Sequence, residues 1–435
     1  MEYLKSRTKK PERHQNGQAE KTRPSEVEYS YALVEKPAQG KNEKPAETNG
    51  RPQLRAIKGK KHRGKIRALI TFAVILILMA ALVYLNSLSP GGLVEFTENL
   101  YAGMNNGNGF PVRLPDEKIE QVYISGNDLV VLTDAALLEY NSSAYQMFYR
   151  QHGMSAPVVD TESSRILVYD RGGKALKIEN RFKTVFEIEL DNALLLGRLS
   201  ESGGFAVATR SQRYSAEIKV FGGDGFKNLY TRYLVAGEIT GLDISRDGRN
   251  IVYSVVEARG GEFVSTVYIC DIKKKDPIAA QVYENAFVVA VDYKEADAVA
   301  VLGDSFFSYM DKMGGSRVDY NYDGRVLELA DRTKKGFSAL FLAGQTDGAS
   351  GDLLIISADG TVTADFTAPR ELRDIALTDD GIYGLYGRHL ALFDHGGEQK
   401  GLWEVGQEVS GVTEIGGSAA LLKNSEISVM VPGES

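Results

Sequence analysis

The chain has 435 residues with 51 Lys and Arg against 58 Asp and Glu, a near balance that conceals two opposite pieces. Up to Arg67 there are 18 basic and 8 acidic residues, a net of +10, while the remainder carries 33 against 50, a net of −17. A lone cysteine, Cys270, excludes an internal disulfide framework and a paired-thiol metal clip, and the acidic surplus of the larger piece disfavours nucleic acid and other polyanions as ligands.

Residues 1–67 are rich in Lys, Glu, Pro, Gln and Gly and poor in large apolar side chains. Such a segment cannot bury enough surface to offset its chain entropy, so a disordered basic tail is expected. Residues 68–88 then run 21 positions without a charge, from Ala68 to Leu88. At 1.5 Å per residue this is about 31 Å of helix, the thickness of a bilayer's hydrocarbon core. Lys58, Lys60, Lys61, Arg63, Lys65 and Arg67 crowd its N-terminal flank, whereas no Lys or Arg follows until Arg113. That asymmetry keeps the N-terminus in the cytoplasm and sends the C-terminal part outside. The apolar run is too long, and its preceding tail too extended, for a cleaved signal peptide. The expectation is a single-span signal anchor in the cell membrane, with the basic run Arg55–Arg67 fixing topology; binding of anionic headgroups is the alternative use of the same charges.

Residues 89–109 read as a linker ending in Asn105-Asn-Gly-Asn-Gly109. From 110 to 435 helical periodicity gives way to short apolar or alternating runs separated by Gly, Asp, Asn and Ser, the pattern of strands joined by hairpins. Asp-Gly pairs at Asp224, Asp247, Asp323, Asp359 and Asp380 suit left-handed turn positions. One strand type, small and β-branched, recurs from Asp128, Arg165, Gly204, Asn250, Asp297, Phe337, Gly381 and Ser418. The spacing averages about 41 residues, the period of a four-stranded propeller blade. The second unit is the clearest, with strands expected at Ala156–Asp160, Arg165–Asp170, Ala175–Glu179 and Thr184–Leu190. Its small side chains suggest that the recurring strand lies at the crowded central axis. The last unit has three strands (Gly411–Ile415, Ser418–Leu422, Ile427–Val431), and Phe110–Leu114 is positioned to supply the fourth and close the ring. The fold class expected is all-β, a β-propeller of eight blades, with seven as the alternative count.

Leu242-Asp-Ile-Ser-Arg-Asp-Gly-Arg-Asn-Ile-Val-Tyr253 resembles the blade motif of bacterial propellers of the WD40/YVTN/TolB-like superfamily, with Arg246 where proline is usual. The order of tail, anchor and outer propeller is also similar to uncharacterised membrane proteins of Firmicutes assigned to a domain of unknown function. The resemblance implies architecture and a Gram-positive envelope, but no activity.

Catalytic constellations are sparse. No Gly-x-Ser-x-Gly elbow is present, and Trp403, the only tryptophan, cannot serve a blade-by-blade Trp pattern. His389 and His395 flank Leu390–Asp394, read as a hairpin that would bring both to one end of a blade. The best metal motif is Asp319-Tyr-Asn321-Tyr-Asp323-Gly324, whose alternate oxygen ligands open like a calcium loop. Positions nine and twelve are Leu327 and Ala330, so the closing carboxylate is missing, and Asx-rich turns use the same residues without a metal. Tyr214, Phe226, Tyr309 and Tyr322 fall in expected inter-strand segments and are candidates for a recognition surface. The leading function is a non-catalytic, membrane-anchored, extracytoplasmic binding or scaffolding propeller for an envelope protein or ligand, with no cofactor beyond the calcium candidate. The alternative is a cell-envelope hydrolase or lyase with a carboxylate site in the channel.

Overall fold

The computed structural model describes residues 105–431 apart from 295–297, 333–335, 345–349 and 370, together with Thr71, Phe72, Val74 and Ile75, which are helical and exposed. Among the described residues no helix is long and apolar enough to cross a membrane. Apart from those four positions, the span expected at 68–88, the tail 1–67 and most of the linker 89–109 lie outside the described residues.

The strands assemble into eight antiparallel sheets of four, each made of strands consecutive in the chain save one. The recurring apolar strands begin at Asp128, Arg165, Phe205, Asn250, Ala298, Ser338, Gly381 and Ser418, each within one residue of its expected start. The exceptional sheet closes the ring. Its fourth strand is Val112–Arg113, paired with Glu426–Met430 through Val112–Ile427 and Arg113–Glu426. The blade count is therefore eight, and the closing strand falls inside Phe110–Leu114, where the sequence placed it.

The recurring strand is not the axial one. In every complete blade it is the second strand, and the strand before it lies innermost, against its counterparts in the neighbouring blades. Those first strands are Ile119–Ser125, Pro157–Glu162, Leu194–Leu199, Glu238–Ile244, Val288–Lys294, Val326–Asp331, Leu372–Leu377 and Gly411–Ile415. A second strand has a partner on each edge and a blade on each face, so it must be apolar on both sides. Asp128–Thr133 and Ala298–Gly303 are buried at every position for that reason. The first strand has one flank on the channel and can carry charge.

The core is a ring of eight apolar clusters, one in each gap between adjacent blades. In the first gap Val130 and Leu137 of blade 1 meet Ile166 and Val168 of blade 2. Each fully buried Val, Leu or Ile contributes about 1.5–3 kcal/mol, so the ring is stabilised by every seam rather than by one centre. Cys270 is buried in the seam of blades 3 and 4, where burial pushes its thiol pKa up. Gly225, Gly248, Gly324 and Gly360 follow aspartates at positive φ, as the Asp-Gly pairs required. Gly381 differs. It is the first residue of a strand, and a Cβ there would lie 1.9 Å from the Phe393 carbonyl oxygen, so its requirement is close approach and not a turn.

Candidate functional site

Six of the eight first strands carry a bulge near their lower end, the end where they begin. The extra residue includes Leu195, Thr240, Val289 and Glu328, and a charged residue follows three places later in each case: Arg198, Asp243, Asp292 and Asp331. A bulge re-aims the residues beyond it. Asp160 of blade 2 reaches the same level without one.

These charges fasten blade to blade. Asp160 Oδ2 accepts the Leu199 N–H at 2.7 Å, Asp243 Oδ2 the Tyr293 N–H at 2.7 Å, Asp331 Oδ2 the Leu377 N–H at 2.7 Å, and Asp374 Oδ2 the Val412 N–H at 2.8 Å. In each case the carboxylate of one blade takes a backbone donor from the next. Arginines add to these links: Arg198 Nη1 donates to Asp160 Oδ1 at 3.1 Å and Arg332 Nη1 to Asp292 Oδ2 at 2.6 Å. Hydrogen bonds to charged groups contribute about 1.5–3 kcal/mol each.

Burial raises Asp331 and Asp374 above the ordinary carboxylate range, against the backbone donors that pull them down. Burial acts on Asp292 in the same sense but is outweighed by Arg332, Lys294 and Arg198, which together hold it low. Lys294 is lowered by its burial, with Asp292 opposing.

The channel opens into unlike chambers. At the upper end a cavity of about 710 Å³ is lined by eight carboxylates, Asp160, Asp243, Asp292 and Asp331 among them, and by Arg198, Arg246 and Arg332. At the lower end a cavity of about 580 Å³ lies against blades 2–5. Its walls are Val158, Leu194–Leu196, Ile239 and Val289–Val291, with Arg171, Arg198, Arg210 and Arg332 and no carboxylate. A second lower cavity, against blades 1, 2, 7 and 8, mixes Lys118 and Arg171 with Glu120 and Glu408. Arg198 and Arg332 line both the upper chamber and the first lower one, and so mark the boundary between them.

The blade motif singled out in the sequence sits on the upper rim. Ser245 Oγ donates to Asp247 Oδ1 at 2.7 Å and accepts the Asn250 N–H at 2.9 Å, closing a turn with Gly248 at φ 70°. The neighbouring blade grips the turn through Ser200 Oγ, which donates to the carbonyls of Ser245 and Arg246 at 2.9 and 2.8 Å.

The other candidate residues are dispersed. The Asp319 carboxylate is held by Arg317, with Nε 2.7 Å from Oδ1 and Nη2 2.6 Å from Oδ2. Asn321 Oδ1 accepts the Asp323 N–H at 2.8 Å in an Asx turn, with Asp323 at φ 52°. Among the described residues no group of three or more His, Cys, Asp and Glu is arranged to hold a metal ion. His389 and His395 do not share an end of the blade, because Leu390–Asp394 is itself strand and not a hairpin. Six steps of about 3.3 Å each separate them. His395 stacks on Phe337 at 4.1 Å. Tyr309 and Tyr322 belong to the apolar seam of blades 5 and 6, and Phe226 stacks on Phe186 at 4.5 Å. Tyr214 alone of the four is exposed, beside Tyr233 on the lower face.

Residues 113–430 match a protein family described as a family of unknown function (DUF5711). The chain belongs to the DUF5711 family. No curated protein matches it. Among solved structures this DUF5711 member is similar to BamB from Moraxella catarrhalis, at 12% identity, 76% of this chain, 98% of that one and a TM-score of 0.45. It is also similar to the Cps50 (Swd1) β-propeller domain of Myceliophteria thermophila, at 9% identity, 75% and 99% coverage and a TM-score of 0.43. A eukaryotic initiation factor is a third, at 11% identity, 70% and 81% coverage and a TM-score of 0.50. Identities this low speak to fold alone.

Proposed function

We propose that this DUF5711 member is a membrane-anchored binding or scaffolding module of a Gram-positive cell envelope, its N-terminus cytoplasmic and its propeller outside, with a protein or envelope ligand as partner. The observation that carries the non-catalytic part is the use made of the channel charges. Asp160, Asp243, Asp331 and Asp374 each spend an oxygen on a backbone N–H of the next blade. Groups so fixed hold the ring together and leave the chambers as shaped, polarised recesses.

The chain enters the propeller at the upper rim, where the Asn105 carbonyl accepts from Asn141 Nδ2 at 2.8 Å and Gly109 N–H donates to the Ser143 carbonyl at 3.0 Å. Cross-linking and pull-down from intact cells, comparing the full chain with one lacking residues 109–435, tests the reading. A partner set that depends on the propeller is expected, and identical sets would overturn it. Protease added outside wall-stripped cells is expected to degrade the propeller and spare the tail.

The hydrolase or lyase reading draws on Asp331, a carboxyl that burial raises and that lines the upper chamber. It requires Asp331→Asn to abolish turnover of an envelope polymer while the ring stays folded.

A further inference from the structure

The lower chamber against blades 2–5 is lined by four arginines and no carboxylate, in the piece of the chain that carries a net charge of −17. Two of the four are committed: Arg198 to Asp160 and Arg332 to Asp292. Arg171 and Arg210 are different. Both are exposed at the lower rim, and neither side chain donates a hydrogen bond or forms an ion pair among the described residues. Between them and the committed pair lie Val158, Leu195, Leu196, Ile239 and Val289. A guanidinium against apolar walls attracts an anion more strongly than one in open water, and its planar fork matches a carboxylate. The volume of about 580 Å³ is that of an ordinary ligand recess. Apolar surface continues beyond it on the lower ends of blades 3 and 4, where Val235 and Phe263 are 82% and 56% exposed. These side chains offer an aliphatic partner further apolar surface outside the recess.

We infer that the lower chamber binds an extended segment of a partner protein in which Asp or Glu side chains alternate with branched aliphatic ones. The carboxylates meet Arg171 and Arg210, and the aliphatic groups enter the chamber and lie along the rim. This rests on the propeller being a binding module and names the partner chemistry of one face.

The test is calorimetric titration of the full chain in detergent with three probes: the blocked pentapeptide Leu-Glu-Leu-Glu-Leu, its Gln counterpart, and hexanoate. The Glu peptide is expected to bind at least tenfold more tightly than the Gln peptide, with affinity falling as salt rises. Arg171→Gln combined with Arg210→Gln is expected to weaken it at least tenfold, and Arg213→Gln, an exposed neighbour outside the lining, to leave it unchanged. Both substituted side chains are solvent-facing, and an unchanged melting curve verifies folding of the double variant. Equal affinity for the two peptides, an unaffected double variant, or binding of hexanoate without the Glu peptide would each overturn the inference. If the Glu peptide fails while cross-linking still recovers propeller-dependent partners, this inference falls and the binding module stands; loss of both removes the module itself.

Discussion

The two ends of the channel are built by the same eight strands and yet have opposite chemistry. The upper chamber gathers eight carboxylates and three arginines, most of them engaged across blade boundaries. The lower chamber of blades 2–5 is aliphatic, with arginines and no acid. What separates them is three residues of strand. A bulge turns Leu195, Thr240 and Val289 into the lower chamber, and the charged position follows at the level of the upper one. Buried charges in a ring of separable blades serve as fasteners, and exposed unpaired ones at a rim remain for a ligand.

Several substitutions would break or sharpen that contrast, and the largest effect is expected at Asp160. Asp160→Ala removes the partner of both Arg198 Nη1 and the Leu199 N–H and leaves Arg198 only the 4.0 Å approach to Asp292, so about 3–5 kcal/mol of stability should be lost in urea unfolding. Asp331→Asn is milder, because an amide oxygen still accepts the Leu377 N–H. About 1 kcal/mol is expected, and a loss as large as that of Asp160→Ala would mean that the charge itself is required.

A third charged cluster, in the seam of blades 1 and 2, adds a pH dependence. Burial raises the Glu139 carboxyl to about 8, with the Asp128 charge adding to the shift and Arg181 opposing it. Arg181 reaches both acids, with Nε 3.5 Å from Glu139 Oε1 and Nη2 against Asp128 Oδ2. A carboxyl raised on folding binds more protons in the native state than in the unfolded one. Stability therefore falls as pH rises from the ordinary carboxylate range to about 8. Glu139→Gln should flatten that part of the Tm-against-pH curve, and an unchanged slope would place the titration elsewhere. The smallest effect belongs to the calcium candidate. With Asp319 held by Arg317 and Asn321 by the turn it closes, millimolar calcium should leave the Tm unmoved, and a rise of several degrees would restore the loop as a site.

Much of the architecture was legible because blade repetition leaves a period. A strand sandwiched on both faces is apolar along most of its length, and residues 129–132 and Ala298–Gly303 stand out for that reason. The same apolarity misled the placement of the axis, since the innermost strand is the mixed one that precedes it. The channel charges were not legible. Arg198, Asp243, Asp292 and Asp331 lie tens of residues apart, and a one-residue bulge decides which way each points. One signal was present: a charge near the end of the run before several recurring strands, as at Asp160, Arg198, Asp243, Asp292 and Asp331. His389 and His395 show the reverse case: the segment between them reads as a hairpin but is a single strand. Tyr309 lies inside the strand Phe306–Asp311, whereas Tyr322 is inter-strand as expected but turns into the apolar seam of blades 5 and 6.

The most direct measurement sets Arg198→Gln beside Arg210→Gln in urea unfolding of the same full chain. Both line the lower chamber, but Arg198 also reaches Asp160 at 3.1 Å and Asp292 at 4.0 Å, whereas Arg210 pairs with no described acid. A loss of about 3 kcal/mol for the first and a change within about 0.5 kcal/mol for the second is the expected result. Equal losses would contradict the division of the channel into fastened and ligand-facing charges.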